Sequence, residues 1–255
     1  MSDVFRLDGD VAVVIGGAGS IGSAIALRLA QQGAKVVVAS RNLPHLEEIV
    51  KKIESETKSE AAAMQVDVID EQSIAALTRQ VVSRFGKVDI LITAQAHNVK
   101  GMAHEFPVDD WDRIYDISVR GVMLSCREFG KFMIEKKKGR IINISSVRGT
   151  IATKAGGNLG YCSSKAAVDM MSKTLAAEWA PYNITVNVVA PPVVMSEFVR
   201  KGDPERVAKN IANIPMGRLC TPEEVANVCA FLASPAADFV TGLILYVDGG
   251  LTSVG

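Results

Sequence analysis

The sequence lacks an excess of charge of either sign, because its 28 basic and 28 acidic side chains balance over 255 residues. Nucleic-acid binders normally carry a basic excess or stripe, so this balance argues against that class. No apolar run approaches the ~20 residues that a membrane helix needs. The amino terminus also has no apolar stretch typical of a signal peptide. We therefore expect no nucleic-acid partner, no membrane partner and a cytoplasmic location.

Histidine and cysteine are also scarce. The three histidines and four cysteines do not form a zinc-ligand pattern, and no two cysteines have CxxC spacing. We therefore predict no metal site and a reducing environment. The remaining composition, 48% hydrophobic and 22% charged, is that of an ordinary folded protein.

Short β-branched stretches alternate with helical stretches along the whole chain. This alternation predicts a parallel sheet covered by helices on both faces. No linker or break in composition interrupts residues 1–255, so we expect a single domain. The predicted strands are 10–16, 34–40, 61–68, 87–94, 139–145, 184–190 and 243–250, and the predicted helices are 20–33, 44–53, 73–85, 109–135, 161–179 and 221–232.

One stretch, residues 191–220, is rich in proline, glycine and methionine and is too long for an ordinary connection. Long segments of this kind are often lids or binding loops. We predict that residues 191–220 form a substrate loop.

A glycine-rich turn, GGAGSIG at 16–22, joins the first predicted strand to the first predicted helix. Its glycines fit GxGxxG in the context where that pattern binds dinucleotides, since the backbone can approach a pyrophosphate at a helix N-terminus. The alternative is a turn whose glycines serve only close packing. The turn favours an α/β, doubly wound, three-layer αβα sheet of the Rossmann type. The expected cofactor contacts here are Gly16, Gly19, Ser20, Ile21 and Gly22.

The end of the second strand indicates which dinucleotide is preferred. An acidic residue there would bind a ribose 2′-hydroxyl and favour NAD, but this chain has Ser40 and Arg41. A guanidinium can pair with a 2′-phosphate. We therefore predict NADP(H) over NAD(H), unless Arg41 is simply a surface residue, which would leave the preference open.

The stretch GYCSSK at 160–165 places a tyrosine and a lysine one helical turn apart. Alone this spacing is weak, but other motifs accompany it. Together with the glycine turn they resemble the single-domain form of the short-chain dehydrogenase/reductase family over essentially the whole chain. The narrower similarity is to gluconate 5-dehydrogenase-like and polyol dehydrogenase members. The motifs are VDV (66–68), DILI (89–92), INISS (142–146), YCSSK (161–165), NVVAPP (187–192) and VTGLILYVDGG (240–250).

The resemblance implies an NAD(P)-dependent oxidoreductase that acts on CH–OH groups. The expected reaction interconverts a secondary alcohol and a ketone, with NADP(H), on a polyol or sugar-acid-like small molecule. The resemblance also implies a homotetramer built through helices 109–135 and 161–180 and the C-terminal strand.

The resemblance also implies roles for individual residues. Tyr161 is expected to be the general acid/base, Lys165 to bind the nicotinamide ribose, and Ser146 to bind the substrate oxygen. A free tyrosine titrates near ~10, too high for a base at neutral pH. The Lys165 ammonium and an oxidised nicotinamide favour phenolate, so the pKa of Tyr161 should fall. Further expected cofactor contacts are Asp67 and Val68 at the adenine, Ala94 and Ala96 beside the adenosine, and Pro191, Val194 and Ser196 towards the carboxamide.

The chain departs from the family pattern at four places. Ser20 replaces a glycine of the turn. The segment 93–96, TAQA, replaces Asn-Asn-Ala-Gly, so we expect Thr93 to make the missing hydrogen bonds. Ser118 replaces a catalytic asparagine, and we expect an altered proton relay there. Two extra residues lengthen 153–160, which should change the shape of the substrate pocket.

Polar and basic residues are expected beside the substrate. Arg148 could pair with a carboxylate, although an ion pair with a neighbouring acid explains it equally well. His97 could bind substrate, with a solvent-exposed or subunit-contact role as the alternative. An apolar lid could form from Met195, Phe198 and Met216, or these residues could serve packing alone.

Two other functions remain open. A 3-oxoacyl thioester (acyl-carrier-protein) reductase would use the same catalytic residues, but it should show a basic patch near the cleft. A catalytically silent dinucleotide-binding sensor or scaffold would normally lack the tyrosine or the lysine, and here both are present with Ser146.

Overall fold

The computed structural model describes residues 3–153 and 156–254. Their strands form one seven-stranded sheet in the order β3-β2-β1-β4-β5-β6-β7, with every neighbouring pair parallel. The predicted α/β doubly wound fold is therefore confirmed. The strands are β1 Val11–Ile15, β2 Lys35–Ser40, β3 Ala61–Gln65, β4 Ile90–Thr93, β5 Gly139–Ile144, β6 Ile184–Ala190 and β7 Ile244–Tyr246.

Helices cover both faces of this sheet. Within the described ranges, none of them is both long and apolar enough to cross a membrane. The α-helices are α1 Ser20–Gln31, α2 Leu43–Thr57, α3 Glu71–Phe85, α4 Val108–Tyr115, α5 Gly121–Lys136, α6 Leu159–Trp179, α7 Glu197–Arg200, α8 Pro204–Ile211 and α9 Pro222–Ala233.

The three layers follow from the pattern of buried side chains along the strands. In β1, Val11, Val13 and Ile15 join the apolar cluster on one face, whereas Ala12 and Val14 join the cluster on the other. Successive side chains of a strand point to opposite faces. A strand buried on both faces therefore needs an unbroken apolar run, which is the composition seen in the sequence.

Two predicted elements differ from the structure. The helix expected at 109–135 is interrupted by a π-helical turn, Asp116–Arg120, between α4 and α5. The substrate loop predicted at 191–220 contains two short helices. The Ser196 hydroxyl caps α7 by accepting from the Val199 N–H, and the Asp203 carboxylate caps α8, which begins at Pro204. Local caps stabilise these helices, so apolar periodicity did not reveal them.

The strand order places a crevice at the carboxyl end of the sheet. β1 lies between β2 and β4, and the chain winds away from β1 in opposite directions on its two sides. Ligands of open α/β sheets bind at such a switch point, outside the carboxyl ends of the strands. The loops after β1, β2, β4, β5 and β6 all open towards this edge.

A buried polar chain ties β4 and β5 to α6. Thr93 lies opposite Asn143, and its hydroxyl donates to Asn143 Oδ1 at 2.6 Å. The Asn143 amide donates to Ser172 Oγ at 2.9 Å, and Ser172 donates to the Val168 carbonyl at 2.7 Å. Thr93 therefore makes a hydrogen bond within the central sheet, as predicted.

We predict that Thr93→Val lowers the free energy of unfolding by about 1–2 kcal/mol, because a buried amide oxygen loses its hydroxyl donor. The matched control is Thr185→Val on β6. Thr185 is also buried, but its hydroxyl has no partner within the described ranges. Urea unfolding followed by circular dichroism measures both, and equal losses in the two variants would contradict the role given to the Thr93 hydroxyl.

Candidate active site

The glycine turn after β1 is tightly packed at three of its glycines. A Cβ on Gly16, where φ is +82°, would lie 2.6 Å from the Ala94 carbonyl carbon, and one on Gly17 would lie 2.9 Å from Val38 Cβ. A Cβ on Gly22 would collide with the Gly16 carbonyl oxygen. Packing alone therefore requires glycine at these positions, as the packing alternative proposed.

Gly19 is different, because packing does not require it. Its φ of −77° suits any residue, and an added Cβ would meet only the Gly16 carbonyl oxygen, at an ordinary 3.4 Å. Gly19 is the N-cap of α1, which has neither a side-chain cap nor an acidic residue in its first turn. The first N–H groups of α1, those of Ser20, Ile21 and Gly22, thus form an uncapped helix end with a partial positive charge. Such an end suits a dinucleotide phosphate.

The end of β2 presents an arginine without an acidic partner. The Ser40 hydroxyl accepts from the Asn42 N–H at 3.3 Å. The Arg41 side chain is exposed, and no carboxylate of the described residues lies within 4 Å of its guanidinium. The Arg41 carbonyl accepts from the Gln65 amide, which fixes the backbone here. A cation therefore stands where the sequence predicted contact with the adenosine ribose.

The loop after β3 holds the two residues expected at the adenine. Asp67 donates its N–H to Ser73 Oγ at 3.0 Å, and its carboxylate accepts from the Ile69 N–H at 3.3 Å. Val68 packs against Gly121, where an added Cβ would lie 3.1 Å from Val68 Cβ. This loop is thereby fastened to the start of α5.

The predicted catalytic residues converge where α6 crosses the carboxyl end of β5. The Lys165 ammonium donates to the Ile144 carbonyl at 2.8 Å and lies 5.7 Å from the centre of the Tyr161 ring. Ser146 Oγ accepts from the Arg148 N–H at 3.2 Å and donates to the Pro191 carbonyl at 3.3 Å. Lys165 is only 2% exposed, whereas Tyr161 keeps some solvent access.

Burial dominates the electrostatics of this cluster. Desolvation raises the pKa of Tyr161, against the lowering effects of the Ser146 hydroxyl and the Arg148 charge. Desolvation also lowers the pKa of Lys165 to about 8, with the Asp169 charge acting in the opposite direction. In the chain without nucleotide, loss of hydration therefore outweighs the Ser146 hydroxyl and the Arg148 charge. The fall in the pKa of Tyr161 that is expected with an oxidised nicotinamide bound stays a prediction.

The serine that replaces the family asparagine lies inside the π-helical turn. Ser118 is fully buried, and its hydroxyl accepts from the His97 N–H at 3.1 Å. This contact fixes the segment that follows β4, which includes Ala94 and Ala96. The backbone of His97 is therefore held at the crevice, with its ring partly exposed.

Arg148 makes no ion pair with an acid of the described residues, so the alternative proposed for it is not supported. One guanidinium nitrogen donates to the Ala152 carbonyl at 2.9 Å. Burial raises the pKa of both Tyr161 and Cys162, and the Arg148 charge opposes this rise at both groups. Arg148 therefore lies beside the phenol, with donors still available.

The lengthened loop pairs with the segment after β4. The Gly101 N–H donates to the Gly157 carbonyl at 3.1 Å, and Gly101 forms a β-bridge with Asn158. The loop leads directly into α6 and Tyr161. Of the stretch 153–160 predicted to shape the pocket, Lys154 and Ala155 lie outside the described residues.

The segment after β6 forms the other side of the crevice. The Pro191 carbonyl accepts from the Val147 N–H and the Ser146 hydroxyl. Val194 is buried and bridges to Cys220, and the Ser196 hydroxyl is used as the α7 cap. Two of the three candidate lid residues, Phe198 and Met216, are strongly exposed.

Two buried polar residues were missed by the sequence reasoning. Both amide atoms of Gln95 are buried without a hydrogen-bond partner in the described structure, beside the Gly16 turn. Asp169 is buried with one unpaired carboxylate oxygen. The spacing of Asp169, one helical turn after Lys165, was a signal that could have found it.

Comparison with known proteins identifies the family to which this chain belongs. A family model described as enoyl-(acyl carrier protein) reductase matches residues 16–252. A D-threitol dehydrogenase of Mycolicibacterium smegmatis is 36% identical over 249 residues, which cover 97% of this chain and 95% of that protein. The chain belongs to the short-chain dehydrogenase/reductase family. This short-chain dehydrogenase/reductase is therefore an NAD(P)-dependent oxidoreductase that acts on CH–OH groups.

Other relatives differ in their named substrates. An NAD-dependent glycerol dehydrogenase of Listeria innocua is 35% identical over 250 residues, 97% of this chain and 96% of that protein. A 3-oxoacyl-[acyl-carrier-protein] reductase of Thermotoga maritima is 33% identical over 246 residues, which cover 96% of this chain and 99% of that protein. The structure of a gluconate 5-dehydrogenase from Burkholderia cenocepacia, in complex with NADP and tartrate, is 32% identical, with a TM-score of 0.93 and 99% of both chains covered.

The two kinds of glycine in the turn give a matched test. We predict that Gly19→Ala leaves thermal stability nearly unchanged but weakens NADP⁺ binding about tenfold, because the new methyl group lies where the pyrophosphate approaches. Gly22→Ala should instead lower the melting temperature, because its Cβ collides with the Gly16 carbonyl. Differential scanning fluorimetry and calorimetric titration separate these effects. Unaltered NADP⁺ binding by folded Gly19→Ala would contradict this placement of the phosphates.

Proposed function

We propose that this short-chain dehydrogenase/reductase interconverts a secondary alcohol and a ketone on a polyol or sugar-acid-like small molecule, with NADP(H) as the preferred cofactor. The observation that carries the proposal is the convergence of Ser146, Tyr161 and Lys165 at the crevice beside the glycine turn. A sensor or scaffold would have no use for an intact set of these three groups.

The proposed chemistry divides between cofactor and protein. A nicotinamide nucleotide held by the glycine turn and Lys165 would supply the hydride exchange with the alcohol carbon or the ketone. Tyr161 removes the hydroxyl proton or returns it to the carbonyl oxygen. The Ser146 hydroxyl, 3.3 Å from the Pro191 carbonyl, can turn to hydrogen-bond the substrate oxygen. Both groups must therefore face the same substrate atom.

Lys165 has two tasks in this proposal. Its ammonium donates one hydrogen bond to the Ile144 carbonyl, so two N–H groups remain to donate to the ribose hydroxyls of the nucleotide. Its charge also favours the phenolate of Tyr161. The proton leaves by an altered relay at Ser118, whose oxygen accepts from His97 and whose own proton remains available to donate.

The substrate class is supported by Arg148 and by the relatives. A guanidinium with spare donors beside the phenol suits hydroxylated substrates and can pair with a carboxylate. Relatives are named for threitol and glycerol, and one solved relative, a gluconate 5-dehydrogenase, has tartrate bound. Tyr161 and His97 complete the proposed substrate contacts.

A second candidate function, reduction of 3-oxoacyl thioesters on an acyl carrier protein, has specific support. One relative is named as such a reductase, and exposed cations lie on and next to α7 and α8, within the predicted substrate loop. Lys201 pairs with Glu197, which reduces the charge available to an acidic carrier. The exposed cations are Arg200, Lys201, Arg206 and Lys209.

The proposed quaternary structure is a homotetramer. Large apolar side chains are exposed on α4, α5 and α6 and near the C-terminal strand, where burial against other copies would remove them from water. These residues are Val108, Met123, Met170, Phe239 and Leu243.

The reaction is tested with a panel of polyols, sugar acids and 3-oxoacyl thioesters, monitored by nicotinamide absorbance. We predict turnover of a polyol or sugar acid, and a loss of at least about 10²-fold in kcat for Tyr161→Phe with nucleotide affinity retained. Turnover of the thioester alone would favour the second candidate. Near-normal kcat in Tyr161→Phe would show that another group moves the proton.

Cofactor preference is tested separately with Arg41→Ala. We predict that NADP⁺ binding weakens by about tenfold or more while NAD⁺ binding is unchanged, because a hydrogen bond between charged groups is lost. Arg79→Ala is the control, since Arg79 is an exposed arginine on α3. Equal binding of NADP⁺ by the wild type and Arg41→Ala would refute the role of Arg41.

A further inference from the structure

Three polar side chains lie one turn apart along one face of α6. Tyr161 and Lys165 have proposed roles in catalysis and cofactor binding, and Asp169 follows four residues later, deeper in the protein. Asp169 is 6% exposed. It takes no part in the chemistry described above.

The setting of Asp169 is tight and only partly polar. A Cβ on Gly149 would collide with one carboxylate oxygen of Asp169, and the nearby Ser145 hydroxyl donates to the Lys165 carbonyl at 3.3 Å. Burial raises the pKa of the Asp169 carboxyl, against the lowering effects of Ser145, Lys165 and Lys173. The other oxygen is buried without a partner within the described ranges. Burying a carboxylate oxygen without a hydrogen-bond partner lowers the stability of the fold. We therefore expect the carboxylate charge to stabilise another group nearby.

Lys165 is the group that needs this charge. Its ammonium is almost fully buried and donates only to a carbonyl oxygen, with no described carboxylate within 4 Å. Burial favours the neutral amine, and Asp169 is the acid whose charge opposes that effect. The other charged or titratable groups facing this pair are Tyr161 on the crevice side, Arg148 beside the phenol, and Lys173 one turn beyond Asp169.

We propose that Asp169 is a positioning residue whose carboxylate keeps Lys165 charged in its buried setting, so that the ammonium remains available to the nucleotide ribose and to Tyr161. This inference rests on the proposed cofactor-binding function of Lys165. Asp169 acts through the lysine and touches neither substrate nor nucleotide. Removing its charge should therefore shift pH dependence rather than abolish the chemistry.

The first experiment measures Lys165 in the protein without nucleotide, by nitrogen-15 NMR of the lysine ammonium groups as a function of pH. Asp169→Asn keeps the shape but removes the charge, so Lys165 should lose its proton about one pH unit lower than in the wild type. The control is Asp89→Asn, which removes a buried carboxylate just before β4 that binds the Val11 N–H and Lys87. An unchanged Lys165 titration in Asp169→Asn would overturn the proposal.

The second experiment follows NADP⁺ binding against pH by calorimetry in the same variants. As the pH rises, the affinity of Asp169→Asn for NADP⁺ should begin to fall at a lower pH than the affinities of the wild type and of Asp89→Asn. If Lys165 titrates lower while NADP⁺ binding does not follow, the effect of Asp169 on Lys165 stands and the ribose-binding role of Lys165 fails. The two proposals are thus separated.

A reciprocal measurement covers the case in which Asp169→Asn does not fold. The Asp169 carboxyl is titrated by carbon-13 NMR in the wild type and in Lys165→Met. Loss of the ammonium should move the Asp169 titration to higher pH, because the carboxylate loses its cation. An unchanged Asp169 titration would show that the two groups are not coupled and would overturn the proposal.

Discussion

Burial of a lysine ammonium between α6 and the carboxyl end of β5 is the constraint on which the site depends. The single hydrogen bond from Lys165 to the Ile144 carbonyl fixes where the charge lies. The helical repeat then places Tyr161 one turn towards the crevice and Asp169 one turn away from it. Burial also sets the chemistry, because it raises the pKa of Tyr161 and lowers that of Lys165. The free protein therefore holds the phenol in its protonated form, and the oxidised nucleotide brings a positive charge that favours the phenolate.

The rest of the fold opens a crevice beside this point, where we propose that the dinucleotide binds. The order of the strands opens the crevice beside β1, and the uncapped N-terminus of α1 faces it. Thr93 and Asn143 hold β4 and β5 together under the nucleotide site. Ser118 ties the segment after β4 to the π-helical turn.

Much of this arrangement could be predicted from the sequence, because apolar runs and the glycine turn have local causes. The glycine-rich stretch was placed correctly at the junction of β1 and α1, and Thr93 was correctly expected to bond within the sheet. The π-helical turn at Asp116–Arg120 could not be predicted, since hydrophobic spacing does not distinguish it from a regular helix. The raised pKa of Tyr161 in the chain without nucleotide could not be predicted, because it depends on how deeply the phenol is buried, which only tertiary packing determines.

We expect Tyr161 to become an effective base only when the buried site receives the charge of the oxidised nucleotide. The most direct measurement is the ultraviolet titration of Tyr161, taken as the difference between wild type and Tyr161→Phe, without nucleotide and with saturating NADP⁺. We expect the phenol pKa to lie above its ordinary value in the free protein, because the ring is buried, and to fall clearly when NADP⁺ binds. The same titration in both states, or a rise on binding, would contradict this expectation.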